Sequence, residues 1–388
     1  MRVDPAALAR GAVLAVEVDG DEYVVWRGQR GELGSAPRSC PHLDHDLAEG
    51  FVVGDELVCP GHGWAFDGRG RVHKRNEYGR VDPKGRVPML TFRQDGDGID
   101  VAPYSQPLMS TTYPPDRHLL RDLRLTFEHD DREPANRTSR ARMPVVAELY
   151  ARDGTVRAGA LATLVDVIGG GLAATVAQPN WIATADLTLH LVGAARTGFV
   201  EAHARVAHAG RTTVVIEVDL SDPTGRPIGI ATMSFAVLPR RDDNPDISTA
   251  MTSGPSTMAR AGSRLHASLL DELEIRVIND RRGELEAPVA EWSRNSLGAM
   301  QGGAVAIIVD AAAEAASTVA AGDNLIVTDL QLTYLALARV GPVRARADVL
   351  NAAGGAVTTR VELVDLGADG RLTSVARVVA TPSLGSGG

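Results

Sequence analysis

The chain carries GALATLVDVIGGGLAATVA from residue 159 and GAVAIIVDAAAEAASTVAA from residue 303. Both stretches are apolar and rich in alanine over about five helical turns. Each has one aspartate at the matching place, Asp166 and Asp310. Further along, TADLTLHLVGAARTGFVEAHARV from residue 184 matches VTDLQLTYLALARVGPVRARADV from residue 327. This self-similarity, at a spacing of 143 to 144 residues, predicts an internal repeat.

Each copy continues, after its alanine-rich helix, into runs whose alternation is typical of strands. The runs are 183–192, 199–208, 211–220 and 228–238 in the first copy, and 325–335, 342–350, 356–366 and 372–381 in the second. One long apolar helix followed by a meander of strands predicts a sheet wrapped around a helix.

The two cysteines of the chain each have a histidine close by, in CPH at 40–42 and in CPGH at 59–62. Two cysteines exclude a disulfide framework. Zinc can take two Cys and two His, although zinc fingers usually group Cys with Cys and His with His. Mixed pairs are what a [2Fe–2S] cluster with two chemically different irons requires. An iron–sulfur site is the favoured interpretation, with zinc as the alternative.

The motif, continued as CPGHGWAF, resembles the Rieske family over about residues 1–103. The resemblance implies that Cys40 and Cys59 bind one iron of a [2Fe–2S] cluster, and His42 and His62 the other, reducible one. His45 is interpreted as a solvated loop residue. No cysteine remains for the additional bridge of respiratory Rieske proteins, which favours the low-potential branch found in oxygenases and their ferredoxins.

An oxygenase also needs a mononuclear iron held by two histidines and a carboxylate. Only His203 and His208 have a suggestive spacing, and an offset of five on a strand points them to opposite faces. The upstream acid of the oxygenase pattern is also missing, since Val200 stands there. The sequence therefore argues against an oxygenase.

The repeats resemble the hot-dog fold, specifically acyl-CoA thioesterases of the phenylacetic-acid-degradation type. The expected fold is multidomain, an all-β Rieske domain followed by an α+β double hot-dog with two antiparallel sheets, each wrapped around a central helix. The expected domains are, in chain order, a Rieske domain at 1–103, a linker at 104–116, hot-dog repeats at 117–240 and 263–383 with a linker at 241–262 between them, and a tail at 384–388.

The resemblance implies oxyanion donors from one repeat, and a base with a hydroxyl from the other. The second repeat supplies Asn295 and the Gly302 N–H, whereas the first supplies Thr184 and Asp166, the latter as base or nucleophile. Thioester hydrolysis by an activated water is expected at this composite site, which we call cleft A. The family often has His before the paired glycines, where Gln301 stands here.

The opposite composite, cleft B, combines Ala151 and Ala158 with Asp310 and Val327. It lacks the side-chain donor and the hydroxyl, so one active site per chain is expected. Arg196, Arg211 and Arg339 are candidates for binding the phosphates of coenzyme A.

Composition limits the other functions. With 44% hydrophobic and 23% charged residues, a net charge of −9 and 4% aromatics, the chain is not expected to bind nucleic acid. No window reaches ~18 uninterrupted apolar residues and the N-terminal stretch is broken by acids, so neither a membrane span nor a secretion signal is expected. A cytoplasmic location is the default.

The expected partners are an acyl-CoA substrate and a redox partner, either a reductase or an oxygenase. Exposed sheet edges and helix faces also allow a homo-oligomer. Two hypotheses stay open. One is a thioesterase with a Rieske electron-transfer or redox-sensing domain. The other is a ferredoxin-like electron carrier whose double hot-dog is a non-catalytic acyl-CoA-binding or scaffolding module.

Overall fold

The computed structural model describes residues 2–68, 70–75, 81–87, 89–95, 98–103, 113–129, 138–239, 254–279, 282–322 and 325–382. The chain divides into two compact units, Met1–Thr111 and Thr112–Gly388.

The first unit consists of strands and short turns in its described residues. Its strands are β1 (Arg2–Val3), β2 (Val13–Val18), β3 (Asp21–Arg27), β4 (Leu33–Pro37), β5 (Phe51–Val53), β6 (Glu56–Val58), β7 (Trp64–Phe66), β8 (Arg71–Arg75), β9 (Val81–Arg86), β10 (Leu90–Asp95) and β11 (Gly98–Pro103). They form antiparallel sheets in the orders β1-β11-β10, β2-β3-β4 and β5-β6-β7-β8-β9. Cys40 and Cys59 are buried in one core with Trp26, Leu57 and Phe66. The all-β prediction for this unit is confirmed.

The second unit contains both repeats. The first repeat has α1 (Leu119–Asp122), β12 (Thr126–His129), β13 (Thr138–Pro144), α2 (Ala158–Ala177), β14 (Trp181–Leu191), β15 (Phe199–Ala209), β16 (Thr213–Ser221) and β17 (Pro227–Leu238). After it come β18 (Gly254–Thr257), α3 (Leu269–Glu272), β19 (Arg276–Asn279), β20 (Glu284–Ala287), α4 (Gly302–Ala321), β21 (Leu325–Tyr334), β22 (Val343–Ala353), β23 (Ala356–Asp365) and β24 (Arg371–Pro382). The predicted helix and four strand runs of each copy are all present, with each end within about three residues of its predicted position.

The two repeats share one sheet. Among the described residues it has thirteen strands in the order β18-β12-β13-β15-β16-β17-β14-β21-β24-β23-β22-β20-β19. The predicted pair of sheets is joined where β14 and β21 pair antiparallel, with Asp186 opposite Thr333 and His190 opposite Asp329. Asp186 accepts hydrogen bonds from Thr333 (2.8 Å) and Ser234 (3.0 Å), so the seam is held by side chains as well as by backbone.

The central helices α2 and α4 pack on each other inside this curved sheet. Both are long and apolar enough to cross a membrane by length and composition alone. Most of each helix is buried here, because sheet and partner helix together cover it. A helix that is apolar on nearly all sides is typical of such a core.

Part of a predicted linker is a strand. Residues 254–257, expected within the 241–262 linker, form β18 and pair with β12 at the edge of the first repeat. The strand's backbone pairing satisfies an edge that would otherwise be open. The rest of that linker up to residue 253, most of the 104–116 linker and the 384–388 tail lie outside the described residues.

Two glycines set the distance between the central helices. A Cβ on Gly159 would lie 2.6 Å from the Ile307 Cα, and one on Gly303 would lie 2.5 Å from the Thr163 Cγ2. The first neighbour is backbone and the second is a β-branched side chain, so neither can move aside easily.

We therefore expect Gly159→Ala and Gly303→Ala each to lower the free energy of unfolding by about 1–3 kcal/mol. Gly171→Ala is the matched control, because it lies in α2 with nothing within 4 Å of the added Cβ. That change should raise stability by roughly 0.5–1 kcal/mol. Urea denaturation of the three variants measures this. Equal effects at all three positions would contradict the close helix contact.

Candidate active site and metal centre

The two Cys–His loops fold alike. In the first, the Cys40 N–H donates to the carbonyl of His45 (2.9 Å), and the Cys40 carbonyl accepts from Asp44 (2.9 Å). In the second, the Cys59 N–H donates to the carbonyl of Trp64 (2.8 Å), and the Cys59 carbonyl accepts from Gly63 (3.1 Å). Asp44 and Gly63 both adopt positive φ, so each cysteine opens an equivalent tight turn.

The loops bring like ligands together. The Cys40 and Cys59 thiols are within hydrogen-bond reach of each other, and both residues are 1% exposed. The imidazole rings of His42 and His62 have centroids 4.7 Å apart. This is the arrangement of one thiolate pair and one imidazole pair that the sequence predicted.

Burial raises the pKa of the Cys40 thiol, and the neighbouring Cys59 adds to the rise, whereas the backbone N–H groups of His42 and Leu43 lower it. Those N–H groups point at the Cys40 sulfur, as backbone donors to a cluster thiolate do. Partial burial lowers the pKa of His62, with further lowering by His42, His45 and Lys74. A lowered pKa favours the neutral imidazole that a metal requires.

The residues fit a two-iron cluster. The His62 Nδ1 is buried without a hydrogen-bond partner, as expected for a nitrogen that ligates a metal. Among the residues that the structure describes, no three His, Cys, Asp or Glu side chains lie close enough to hold a single ion. Ligands arranged pairwise suit a cluster in which each iron takes two. His45 is exposed, and its ring packs over Gly61, where a Cβ would lie 2.3 Å away.

Cleft A is built around Asp166. This residue is 7% exposed, near the middle of α2, and faces the N-terminus of α4. A Cβ on Gly302 would lie 2.8 Å from the Asp166 Oδ2. The Thr184 Oγ1 donates to the Asp166 Oδ1 at 3.2 Å. The structure therefore brings Asp166, Thr184 and Gly302 together.

A bulge orients Thr184. The register between β14 and β17 shifts between Thr184 and Asp186, and the equivalent shift in β21 lies between Val327 and Asp329. An extra residue re-aims the side chains beside it. Thr184 consequently turns toward α2, whereas Asp186 and Asp329 lie at the seam between the two repeats.

Asn295 holds the loop that leads into α4. Its Oδ1 accepts hydrogen bonds from the N–H groups of Leu297 (2.9 Å) and Ala299 (3.0 Å). Fixing the oxygen in this way orients the amide and leaves the Nδ2 donor as the end available to a ligand. Its predicted role as an oxyanion donor stays a prediction.

Burial raises the pKa of Asp166 to about 6, whereas the hydrogen bonds from Thr184 and from the Gly303 N–H lower it. Two tyrosines lie close enough to feel its charge. Burial raises the pKa of both Tyr113 and Tyr334, and Asp166 raises each further. The Tyr334 hydroxyl donates to the Gly302 carbonyl at 2.9 Å. Asp166 thus titrates near neutral pH beside two hydroxyls that stay protonated.

Cleft B contains an ion triad. The Arg157 guanidinium donates to the Asp310 Oδ2 (3.0 Å) and to the Glu314 Oε2 (2.9 Å), and all three side chains are buried. The Gly159 N–H donates to the same Asp310 oxygen at 3.1 Å. Burial raises the pKa of Asp310 to about 6, although Arg157 lowers it, and Glu314 raises it further.

Little space remains beside this triad. The cavity there measures ≈ 10 Å³, about the room that one water needs. It is lined by all four residues that the sequence assigned to this cleft, Ala151, Ala158, Asp310 and Val327. The structure thus pairs the halves of the two repeats in the crossed manner that the sequence predicted.

Sequence reasoning missed several side chains of the two clefts. Gln301 donates from its Nε2 to the Asp166 Oδ2 at 2.9 Å. The sequence predicted no such contact and showed only that Gln301 stands where the family often has His. The position of Gln301 directly before the paired glycines could have indicated this contact. Tyr113, Tyr334 and Glu314 gave no signal in the sequence, because only the fold brings them to the aspartates.

The three candidate arginines lie apart. The Arg339 Nη1 donates to the Leu297 carbonyl at 3.0 Å, within the Asn295 loop beside cleft A. The Arg196 Nη1 donates to the Asp153 carbonyl at 2.7 Å, in the equivalent loop beside cleft B. Arg211 is exposed in the hairpin between β15 and β16. Because Arg339 lies beside cleft A, it is the candidate best placed to bind a ligand there.

Comparison with known proteins identifies the N-terminal segment. Residues 3–84 match the family model described as Rieske [2Fe-2S] domain. The chain is similar to the 4beta-methylsterol monooxygenase of Methylococcus capsulatus, 39% identical over 77 residues that make up 19% of this chain and 20% of that protein. It is also similar to the 3-ketosteroid-9-alpha-monooxygenase oxygenase component of Mycobacterium tuberculosis, 41% identical over 69 residues, 18% of each protein. The chain spans about a fifth of the length of these relatives.

The repeats match a second family model. Residues 153–228 and 297–369 correspond to the thioesterase superfamily. Solved structures with similar folds include an acyl-ACP thioesterase from Bacteroides thetaiotaomicron, with a TM-score of 0.45 and 12% identity over 63% of this chain and 98% of that one. A conserved hot-dog protein from Alicyclobacillus acidocaldarius has a TM-score of 0.44 and 13% identity, over 66% and 95% of the two chains.

The metal-centre geometry predicts which histidine binds iron. His62→Ala should abolish the cluster, because it removes one of two imidazoles on the same iron. His45→Ala is the matched control, whose ring lies 5.1 Å from that of His62, and it should keep the cluster. Iron and acid-labile sulfide, about two of each per chain, together with visible absorption, measure occupancy. Loss of the cluster in both variants would contradict the ligand set.

Proposed function

We propose that this chain, in which a Rieske [2Fe–2S] domain precedes two thioesterase-superfamily hot-dog domains in tandem, hydrolyses acyl-CoA thioesters at cleft A. One observation carries the proposal. A buried aspartate, Asp166, is held by Thr184 of its own repeat and lies against the N-terminus of the other repeat's central helix. Cleft B has its aspartate in an ion triad instead.

The proposed reaction uses Asp166 as general base. A water hydrogen-bonded to Asp166 and Thr184 attacks the thioester carbonyl carbon, and Asp166 takes its proton. The carbonyl oxygen gains negative charge, which the Gly302 N–H and the Asn295 amide stabilise, helped by the positive end of the α4 dipole. The C–S bond then breaks, and the proton passes to the coenzyme A thiolate, leaving a carboxylic acid and a thiol.

Charge and position support coenzyme A as the leaving group. Arg339 is exposed at the loop that leads into the helix N-terminus of cleft A, so its guanidinium is available to a phosphate. Arg196 holds the equivalent place at cleft B. We assign Arg339 to coenzyme A binding and give Arg196 and Arg211 no role in the reaction.

The Rieske domain is proposed to transfer electrons or to sense redox state. Its thiols are buried, whereas His42 is exposed and His62 is half-buried. A cluster held there would carry its reducible iron toward solvent, where a reductase or an oxygenase could reach it. The [2Fe–2S] cluster itself supplies one-electron chemistry when bound.

The same exposed imidazole edge favours a second candidate function. In it, the chain is an electron carrier, and the double hot-dog binds acyl-CoA or serves as a scaffold without catalysis. The relatives of the N-terminal segment include an oxygenase component of a monooxygenase, which is consistent with such a role.

The hydrolase proposal predicts a large loss of activity when Asp166 is replaced. Asp166→Asn should lower kcat/KM for acyl-CoA substrates by about 10²–10⁴-fold, because the general base is gone. Asp310→Asn, the matched change in cleft B, should leave turnover within about threefold of wild type. Steady-state hydrolysis of aryl- and fatty acyl-CoA panels measures both. If the wild-type protein hydrolyses none of these acyl-CoA substrates, the thioesterase proposal is wrong and the electron-carrier function remains.

The pKa of Asp166 gives a second prediction. Since only the carboxylate accepts a proton, kcat/KM should rise with pH around an apparent pKa of about 6. The folded-state pKa lies above the ordinary value of Asp, so the stability linked to this group is fully present at low pH and is lost as the pH rises through about 6. Unfolding free energies at about pH 4.5 and about pH 8, on either side of this pKa, should therefore differ less in Asp166→Asn than in wild type.

Redox coupling is tested with the same assay. Turnover by oxidised and by dithionite-reduced, cluster-loaded protein is compared side by side. A sensing role predicts different kcat values in the two states, whereas a pure electron-transfer role predicts equal ones.

A further inference from the structure

The residue before each central helix reaches across to the aspartate of the other repeat. Gln301 is the N-cap of α4 and contacts Asp166, and Arg157 is the N-cap of α2 and contacts Asp310. The two positions are equivalent, since they precede the repeated glycines by the same spacing. One chain therefore contains two versions of the same contact, one neutral and one charged.

Both ends of the Gln301 amide are engaged. Its Oε1 accepts a hydrogen bond from the Ala304 N–H at 3.1 Å, which caps α4, and its Nε2 donates to the Asp166 Oδ2 at 2.9 Å. The side chain is 6% exposed. Because the oxygen serves the helix, the nitrogen must face the carboxylate, so the amide cannot turn over without losing both bonds. One oxygen of Asp166 is thereby fixed, and the other is left to Thr184 and a water.

Arg157 behaves differently at the same position. Its side chain makes no capping bond and extends instead to both carboxylates of cleft B. A buried guanidinium beside a carboxylate favours the ionised form, and here it occupies the Asp310 Oδ2. Arg157 also lines the cavity of ≈ 10 Å³ at this cleft, which has room for about one water.

We propose that this N-cap position decides which cleft is chemically competent: Gln301 is a positioning residue that orients Asp166 through a neutral hydrogen bond, and Arg157 ties Asp310 in an ion triad that excludes hydrolysis. The assignment of a working base to cleft A rests on the proposed function. The contacts that Gln301 and Arg157 make with the two aspartates do not depend on that proposal.

The surroundings of Asp166 make the exchange informative. The groups that face it are Thr184 from β14, Gln301 and the Gly303 N–H from α4, Tyr334 at the end of β21 and Tyr113 ahead of α1. None of these carries a charge near neutral pH, because both tyrosine pKa values are raised.

The two clefts also differ one helical turn further on. The equivalent of Glu314 in α2 is Gly170, so no second carboxylate there would share an introduced cation. An arginine placed at position 301 would therefore act on Asp166 alone.

The test replaces Gln301 and measures the pKa of Asp166. Gln301→Arg should lower the pKa of Asp166 by about 1–3 units, because a cation favours the carboxylate. Gln301→Met, of similar volume but without a donor, should raise it by roughly half a unit to one unit. Carbon-13 NMR titration of aspartate carboxyls, with Asp166→Asn to assign the signal, reads these shifts without any turnover.

Activity gives the second readout. The acidic limb of the kcat/KM profile should move down in pH for Gln301→Arg and up for Gln301→Met, with kcat falling at least about tenfold in the arginine variant. If Gln301 had a merely structural role, its replacement would lower activity without shifting the pH of the acidic limb of the kcat/KM profile. Gln301→Met carries the test if the arginine variant does not fold.

The outcomes separate the two proposals. Shifts in the NMR titration without hydrolysis by wild type would keep the N-cap assignment and remove the thioesterase. Hydrolysis by wild type with an Asp166 pKa that stays within about 0.3 unit in Gln301→Met and in any folded Gln301→Arg would overturn the role of Gln301. The reciprocal change Arg157→Gln should raise the pKa of Asp310, and a fall instead would overturn the role of Arg157.

Discussion

The close crossing of α2 and α4 is the constraint on which the rest of the second unit depends. Gly159 and Gly303 let the two helices approach until a Cβ no longer fits between them. At that distance the aspartate of each helix meets the N-terminus of the other, where backbone N–H groups have no partner within their own helix. Both candidate clefts are consequences of this one contact.

The shared sheet keeps the crossing in place. Because β14 and β21 pair directly, the two repeats form one continuous layer over both helices. The seam carries polar contacts on Asp186, whereas the inner face packs against the helices with Leu187, Leu189, Leu330 and Leu332. A tandem chain therefore fixes in one molecule the pairing of two hot-dog halves.

Once the repeats are joined in one chain, their two clefts can differ. At cleft A a neutral amide and a hydroxyl hold the aspartate, whereas at cleft B a guanidinium and a second carboxylate surround it. A buried carboxylate that lacks a full counter-charge is costly for stability, and that cost is characteristic of functional sites. At cleft B the charges of Arg157, Asp310 and Glu314 offset part of this cost.

The sequence by itself determined the repeat and the helix and strand runs, because these follow from periodicity, and it set two Cys–His pairs at a spacing that suits a two-iron cluster. The crossed pairing of the two halves was implied by the resemblance to hot-dog thioesterases, not by periodicity or spacing. It did not determine that the sheets merge, that residues 254–257 add an edge strand, or that Gln301 and Arg157 touch the aspartates of the other repeat. Those contacts join residues more than 120 residues apart, and only the helix crossing and the sheet register bring them within hydrogen-bond distance.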